Sequence, residues 1–301
     1  MKKIVNILFP ALLILGGTYI FSSCVNTKNL VNNTAAIKKL YDAGNYSQAL
    51  KQAKETIASY EKSGKENQCP VYTIAGKAAM NLGDTVAALE YFKKAEYSVS
   101  LEEETFLGLA ACYNHKDNLS KEMMALQDYL AKFPNGKYAE DVKKQLFSIY
   151  IQSKNYDKAL KLWPEIKKSV ENEPAFLVQF FEANQALKNT QTCDSLAPVI
   201  MDFHPDNIKI LEYEAKKYFD KAEKLYGTEM KAYEKNRTNK QYKHLLKALN
   251  VVSADFNTAL KYYKKLYTLK PKPEYAKALA HIYKRLDNNT KSLYYQKLSH
   301  R

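Results

Sequence analysis

Apolar residues along this chain recur every three or four positions, the spacing that lines one face of an α-helix, and short polar breaks cut the runs. Residues 71–97 read VYTIAGKAAMNLGDTVAALEYFKKAEY. Tyr72, Ala75, Gly76 and Ala79 share a face, Gly83-Asp84 breaks the helix, and Ala88, Phe92 and Ala95 mark a second one. Small Gly76 and Ala88 let the two helices approach closely, and Phe92 fills the space beside them. The design recurs at intervals of roughly 34–40 residues. Leu40, Gly44-Asn45-Tyr46, Ala49 and Ala53 precede it; Phe106, Ala110, Tyr113, Asp117, Leu126 and Phe133-Pro134 follow. A fourth unit has Leu146, Phe147, Tyr150, the turn Lys154-Asn155-Tyr156, Ala159, Trp163 and Ile166. A weaker fifth runs from Phe176 to Pro205. A sixth places Leu246 before a turn around Ala254-Asp255-Phe256, then Ala259, Tyr263 and Leu266. The seventh, Tyr275 to Ser299, is a candidate terminal cap.

Residues 207–236 break the period. Leu211, Ala215, Phe219, Ala222 and Leu225 keep helical spacing, with Gly227 the only breaker, so one long helix or two meeting near Gly227 are both expected. Residues 235–240 read as a polar linker. Only 9 Gly and 9 Pro punctuate 301 residues, which disfavours short strands joined by tight turns.

Together these units resemble the tetratricopeptide repeat. The resemblance implies an all-α solenoid of about six or seven helix pairs, with one long basic helix in the C-terminal third. One such pair cannot bury its apolar face alone, so stacked neighbours share a core. Domains are expected at 36–205 (about five repeats) and 206–301 (two further repeats), with a soft boundary near 205. Solenoids of this family hold a partner's segment in a groove lined by the first helices of the repeats. The matching polar positions here are Lys77, Asn81, Asn114, Lys144 and Gln152. The segment FPNGKYAEDVKKQL (133–146) resembles the repeat lipoprotein of the outer-membrane β-barrel assembly machinery.

The N-terminus reads Met1-Lys2-Lys3, an apolar run from Ile4 to Phe21, then Ser22-Ser23-Cys24. Two lysines ahead of an apolar stretch make the physical plan of an export signal. The ending resembles the lipobox of bacterial lipoproteins, which implies cleavage of residues 1–23, a lipid on the Cys24 thiol and a flexible tether over 24–35. An uncleaved anchor helix is the alternative, and either way the body lies outside the cytoplasm. Val25-Asn26 carry no Asp of the kind that retains lipoproteins in the inner membrane. An outer-membrane address facing the periplasm is therefore expected.

Charge sharpens this picture. The formal net charge is +14, and residues 205–301 hold 22 of the 46 Lys/Arg but 10 of the 32 Asp/Glu. That asymmetry points to an acidic partner for the C-terminal third. Half of the 24 Tyr also follow residue 205. Lysines interleaved with tyrosines can bind nucleic acid, but Tyr at large repeat positions with Lys solvating outer faces explains the pattern in an exported protein. Nucleic acid is accordingly disfavoured.

Chemistry is sparse. None of the five His has a carboxylate or Cys at metal-ligand spacing, and neither a phosphate-binding loop nor a nucleophile elbow occurs. Glu102-Glu103-Glu104 fits anionic side chains at a helix N-terminus. Cys69, Cys112 and Cys193 have no short spacing; Cys112 and Cys193 read as buried thiols, and a disulfide among the three stays open. The expectation is a protein without catalysis, cofactor or metal, serving as a scaffold for envelope proteins in an outer-membrane assembly, secretion or motility complex. The alternative is a peptidoglycan- or glycan-binding lipoprotein with exposed Tyr stacking on sugar rings.

Overall fold

A computed structural model describes residues 27–300 and shows fourteen α-helices and no strand among them. The chain is all-α and built from tetratricopeptide-like helical hairpins. It divides into two compact units, residues 1–125 and 126–301. The signal segment, Cys24 and the first residues of the expected tether lie outside the described residues.

The first unit holds α1 (Thr27–Asp42), α2 (Tyr46–Lys62), a 3-10 turn (Glu66–Gln68), α3 (Tyr72–Asn81), α4 (Thr85–Glu96) and α5 (Glu103–His115). Helix α6 (Leu119–Lys132) starts here and runs across the division. Successive helices pack together, and α1 with α3 and α3 with α5 touch as well, the neighbour pattern of stacked hairpins. Helix α1 corrects the expected tether, because residues 27–35 are helical. Its Ile37 is fully buried, and Asn33 donates to Thr56 Oγ1 at 3.2 Å, so α1 is tied to α2.

Phe92 shows how tightly this unit is packed. A Cβ at Gly76 would come within 2.8 Å of the Phe92 ring, and one at Gly108 within 2.2 Å. The wholly buried ring is therefore held between backbone of α3 and α5, and any larger residue at Gly108 would overpack it.

The second unit holds α7 (Ala139–Gln152), α8 (Tyr156–Val170), α9 (Pro174–Ala186), α10 (Thr190–Phe203), α11 (Ile208–Lys235), α12 (Asn239–Leu269), α13 (Pro273–Arg285) and α14 (Asn289–Leu298). Trp163 of α8 stacks on Phe180 of α9 with ring centroids 4.1 Å apart and touches Phe147 of α7 at 5.4 Å. Such aromatic contacts add about 0.5–1.5 kcal/mol beyond area burial.

Six hairpins turn on a residue with positive φ: Gly44, Gly83, Asp117, Lys154, Lys188 and Asp287. The next residue, Asn or Asp each time, donates its N–H to a carbonyl five positions back, at 2.7–2.9 Å. This left-handed cap satisfies helix-end carbonyls and reverses the chain. The repeat is thus written in its turns.

The sixth hairpin in chain order differs: of the two readings of residues 207–236 the single long helix holds, while the expected turn at Ala254-Asp255-Phe256 fails. Residues 208–235 form a single helix with no break at Gly227, and α12 runs unbroken through Ala254-Asp255-Phe256. No residue there has positive φ. Asp255 and Phe256 are buried, and Lys221 of α11 donates to Asp255 at 3.0 Å. The motif read as a turn is the line along which α12 packs on α11. The unit therefore has two long helices rather than one, joined by 236–238. The expected boundary near residue 205 marks a change of charge, not of packing, since α10 contacts α11.

Candidate partner-binding clefts

The five groove positions chosen from repeat geometry fall on α3, α5 and α7. In the first unit Lys77 and Asn81 come together over Tyr41: the Lys77 ammonium lies 5.0 Å from the ring centroid, and Asn81 donates to the Tyr41 hydroxyl at 3.2 Å. With Met80, Glu104, Leu107 and Phe92 they line a cavity of about 310 Å³. Asn114 instead donates to Glu122 of α6 at 3.0 Å. In the second unit Lys144 is neutralised by Glu140 at 3.7 Å and Glu173 at 3.9 Å. Gln152 is exposed near the end of α7.

The larger cleft lies elsewhere in the second unit and encloses about 730 Å³ between α9, α11 and α13. Its wall is α11, whose Lys209, Glu212, Tyr213, Lys216 and Asp220 recur every three or four residues and so share one face. Tyr263 of α12 and Tyr275 of α13 close it. The Tyr213 hydroxyl donates to Asp194 at 2.9 Å, and burial, joined by that carboxylate, raises its pKa. Burial pushes Tyr263 up to about 12, with Asp220 and Glu212 adding to it. Both phenols stay neutral donors at physiological pH.

Most charges in this cleft are internally paired. Lys217 reaches Glu214 at 2.5 Å and Asp194 at 3.1 Å. Burial works against its ammonium, but these two carboxylates outweigh it and the pKa is raised. Glu212 accepts from the Tyr275 hydroxyl and from Lys272 at 3.2 Å, and Lys209 pairs with Glu182. At the far end of α13, Arg285 grips Glu223 in a fork at 2.8 and 2.9 Å, and its guanidinium lies 4.0 Å from the Tyr226 ring centroid. Burial disfavours the Glu223 carboxylate, yet Arg285 and His281 (2.7 Å) hold its pKa below the usual value.

Among the described residues no three His, Cys, Asp or Glu could hold a metal, and Cys69, Cys112 and Cys193 are free, buried thiols whose pKa burial raises. Glu102-Glu103-Glu104 meets its expectation: α5 starts at Glu103, and the Glu102 N–H donates to Thr105 Oγ1 at 3.1 Å. No helix among the described residues is long and apolar enough to cross a membrane.

The cleft residues on α11 escaped sequence reading because their role depends on how α11 pairs with α12 and α13. The alternation of Lys209, Glu212, Lys216 and Asp220 along one face was the available signal.

No protein-family model matches the sequence, nor does any curated protein. Solved structures similar to it include a tetratricopeptide repeat protein from Parabacteroides merdae, with 13% identity, a TM-score of 0.43 and coverage of 91% of this chain and 93% of the other. A putative protein-binding protein from Bacteroides ovatus has 18% identity and a TM-score of 0.49, over 72% of this chain and 98% of the other. The C-terminal part of a repeat-containing protein from Cytophaga hutchinsonii has 14% identity and a TM-score of 0.48, over 88% and 93%.

Proposed function

We propose that this protein is a non-catalytic scaffold, anchored to the outer membrane of a Gram-negative envelope through a lipid on Cys24, that holds a segment of another envelope protein in the cleft of its second unit. The observation that carries the binding role is that cleft: about 730 Å³ walled by tyrosine hydroxyls and paired charges on rigid helices. Preorganised polar groups on helices recognise an extended segment at little cost in ordering entropy. The anchor rests on Lys2-Lys3, the apolar run and Ser22-Ser23-Cys24. An outer-membrane assembly, secretion or motility complex is the setting.

The test is crosslinked affinity purification of the tagged full chain from detergent-solubilised membranes, with mass spectrometry of proteins and of the Cys24 peptide. Outer-membrane complex subunits recovered with an acylated Cys24 support the reading. They should be lost on Lys216→Glu with Glu274→Lys, which reverses two cleft charges at unchanged helicity. Retention on cell-wall material with no protein partner would favour glycan binding instead. That alternative needs several exposed Tyr on one surface; Tyr275 and Tyr283 are buried, and the exposed Tyr97, Tyr242 and Tyr294 lie on separate segments of the chain.

A further inference from the structure

The basic excess of the C-terminal third is not evenly available. Along the first half of α11 the lysines meet carboxylates: Lys209 with Glu182, Lys216 with Asp220 at 2.7 Å, Lys217 with Glu214, Lys221 with Asp255. From residue 224 to 251 there are seven Lys/Arg and only two carboxylates. One of these, Glu229, is taken by His244 at 2.8 Å. None of the seven makes an ion pair among the described residues.

The same stretch is under-packed. Between Ala222 and Val252 only Leu245 is buried. The reason lies in helix length. At 1.5 Å per residue α11 is about 42 Å long, and α13, which lies along it, about 20 Å. Helix α13 starts beside Glu212 and ends at Arg285, beside Glu223 and Tyr226. In that span it covers a seam of Phe256, Leu260 and Tyr263 on α12 with Ile282. Toward the start of α12 the seam continues, by threes and fours, through Leu249, Leu246 and Tyr242. Leu246 is 44% exposed and Tyr242 47% exposed, and Tyr233 of α11 lies against Tyr242 with ring centroids 5.8 Å apart. Among the described residues, the groove that α13 fills thus runs on uncovered for about 20 Å.

We propose that this uncovered end of the α11–α12 hairpin docks an acidic amphipathic helix of a partner protein, seated on Tyr242 and Leu246 as a continuation of α13. The apolar seam sets the helical form, as in other helix-in-groove contacts. Unpaired Lys240, Lys243 and Lys247 set the sign of the charge. A second copy's α14, with exposed Leu293 and Tyr294, would not complement this face, since it carries Lys291 and Lys297 and no carboxylate. The inference rests on the reading of the protein as a scaffold but uses a different face from the cleft.

The probe is a fluorescein-labelled helical peptide of Glu and Leu, about 14 residues long to span the empty seam, titrated by anisotropy into the full chain in nonionic detergent. A scrambled peptide of the same composition serves as control. The amphipathic peptide should bind, and the scrambled one at least about tenfold more weakly. Lys240→Glu with Lys243→Glu and Lys247→Glu should weaken binding by about tenfold or more, and Leu246→Glu likewise, with the circular dichroism spectrum unchanged. An equal charge change on α2, Lys51→Glu with Lys54→Glu and Lys62→Glu, should alter it less than about twofold. Equal binding of the scrambled peptide, equal loss in both triple variants, or no binding at all overturns the proposal. So does tighter binding of a single-stranded oligonucleotide or phosphatidylglycerol-doped micelles through the same three lysines. The cleft variant Lys216→Glu with Glu274→Lys should leave the peptide bound. If envelope partners are recovered while the peptide fails, the scaffold reading stands and this docking site falls.

Discussion

In the six short hairpins, helices of 10 to 17 residues reverse on a residue with positive φ, while α11 and α12, of 28 and 31 residues, reverse through 236–238 without one. The short pairs set most of their large apolar residues against a neighbour, as Phe92 is set between Gly76 and Gly108, although Val199, Phe203, Leu293 and Tyr294 stay exposed. The long pair does so for little more than half its length, and beyond Tyr226 it keeps apolar and basic groups in solvent. Stacked hairpins of equal length hide one another's faces. A hairpin that outgrows its neighbour exposes a face, and whether that face is a defect or an instrument depends on what it carries. Here it carries cations that make no ion pair among the described residues.

Substitutions can break or sharpen this contrast. Phe92→Ala should cost about 3–5 kcal/mol in urea denaturation, since it empties a fully buried site that backbone cannot collapse into. Leu246→Ala at the exposed end should stay within about 0.5 kcal/mol. A comparable loss at both positions would mean that something already covers the seam.

Glu223→Gln marks the edge between the two regimes, because this carboxylate fastens the end of α13. It should cost about 2 kcal/mol at pH 7, the range of a charged hydrogen-bonded pair. The folded pKa of Glu223 lies below its ordinary value of 4.5, so its contribution is complete above that pH and fades as the pH falls through the lower, folded value. The two proteins should therefore converge in stability under strongly acidic conditions.

Turns give the smaller effects. Lys188 holds φ of 60°, so Lys188→Gly should raise stability by about 1 kcal/mol. In the long hairpin the closing residue is instead Thr238, whose hydroxyl accepts from the Gln241 N–H at 3.2 Å. Thr238→Ala should cost about 1 kcal/mol, and Arg237→Gly should bring no gain of the Lys188→Gly kind.

Much of this was legible in the sequence. Gly44-Asn45, Gly83-Asp84 and Lys154-Asn155 announce turns through a left-handed residue followed by Asn or Asp, and the small-and-large pattern of Gly76, Ala88 and Phe92 announces the packing. The sixth pair was misread because Ala254-Asp255-Phe256 and Ala259 copy the composition of a turn followed by a second helix. What decides otherwise is Lys221, which meets Asp255 from another helix and lies 34 positions away. The Asn-rich run before residue 35 looked too polar to fold, yet buried Ile37 and the Asn33 bond to Thr56 hold it as helix. Lys77 and Asn81 did come together, with Tyr41, but Lys144 went to Glu140 and Glu173. The main cleft required the alignment of α11 against α13, which no local pattern encodes.

Hydrogen exchange of the full chain, resolved by mass spectrometry along α11 and α12, tests the contrast most directly. Amides with few buried contacts open locally and exchange early. Protection should be high through Ala222, drop across residues 227–251 and return from Val252 onward, and the acidic amphipathic peptide should restore it in the dropped region. Uniform protection across both helices in the free protein would contradict the account, since it would mean that the seam beyond α13 is already closed.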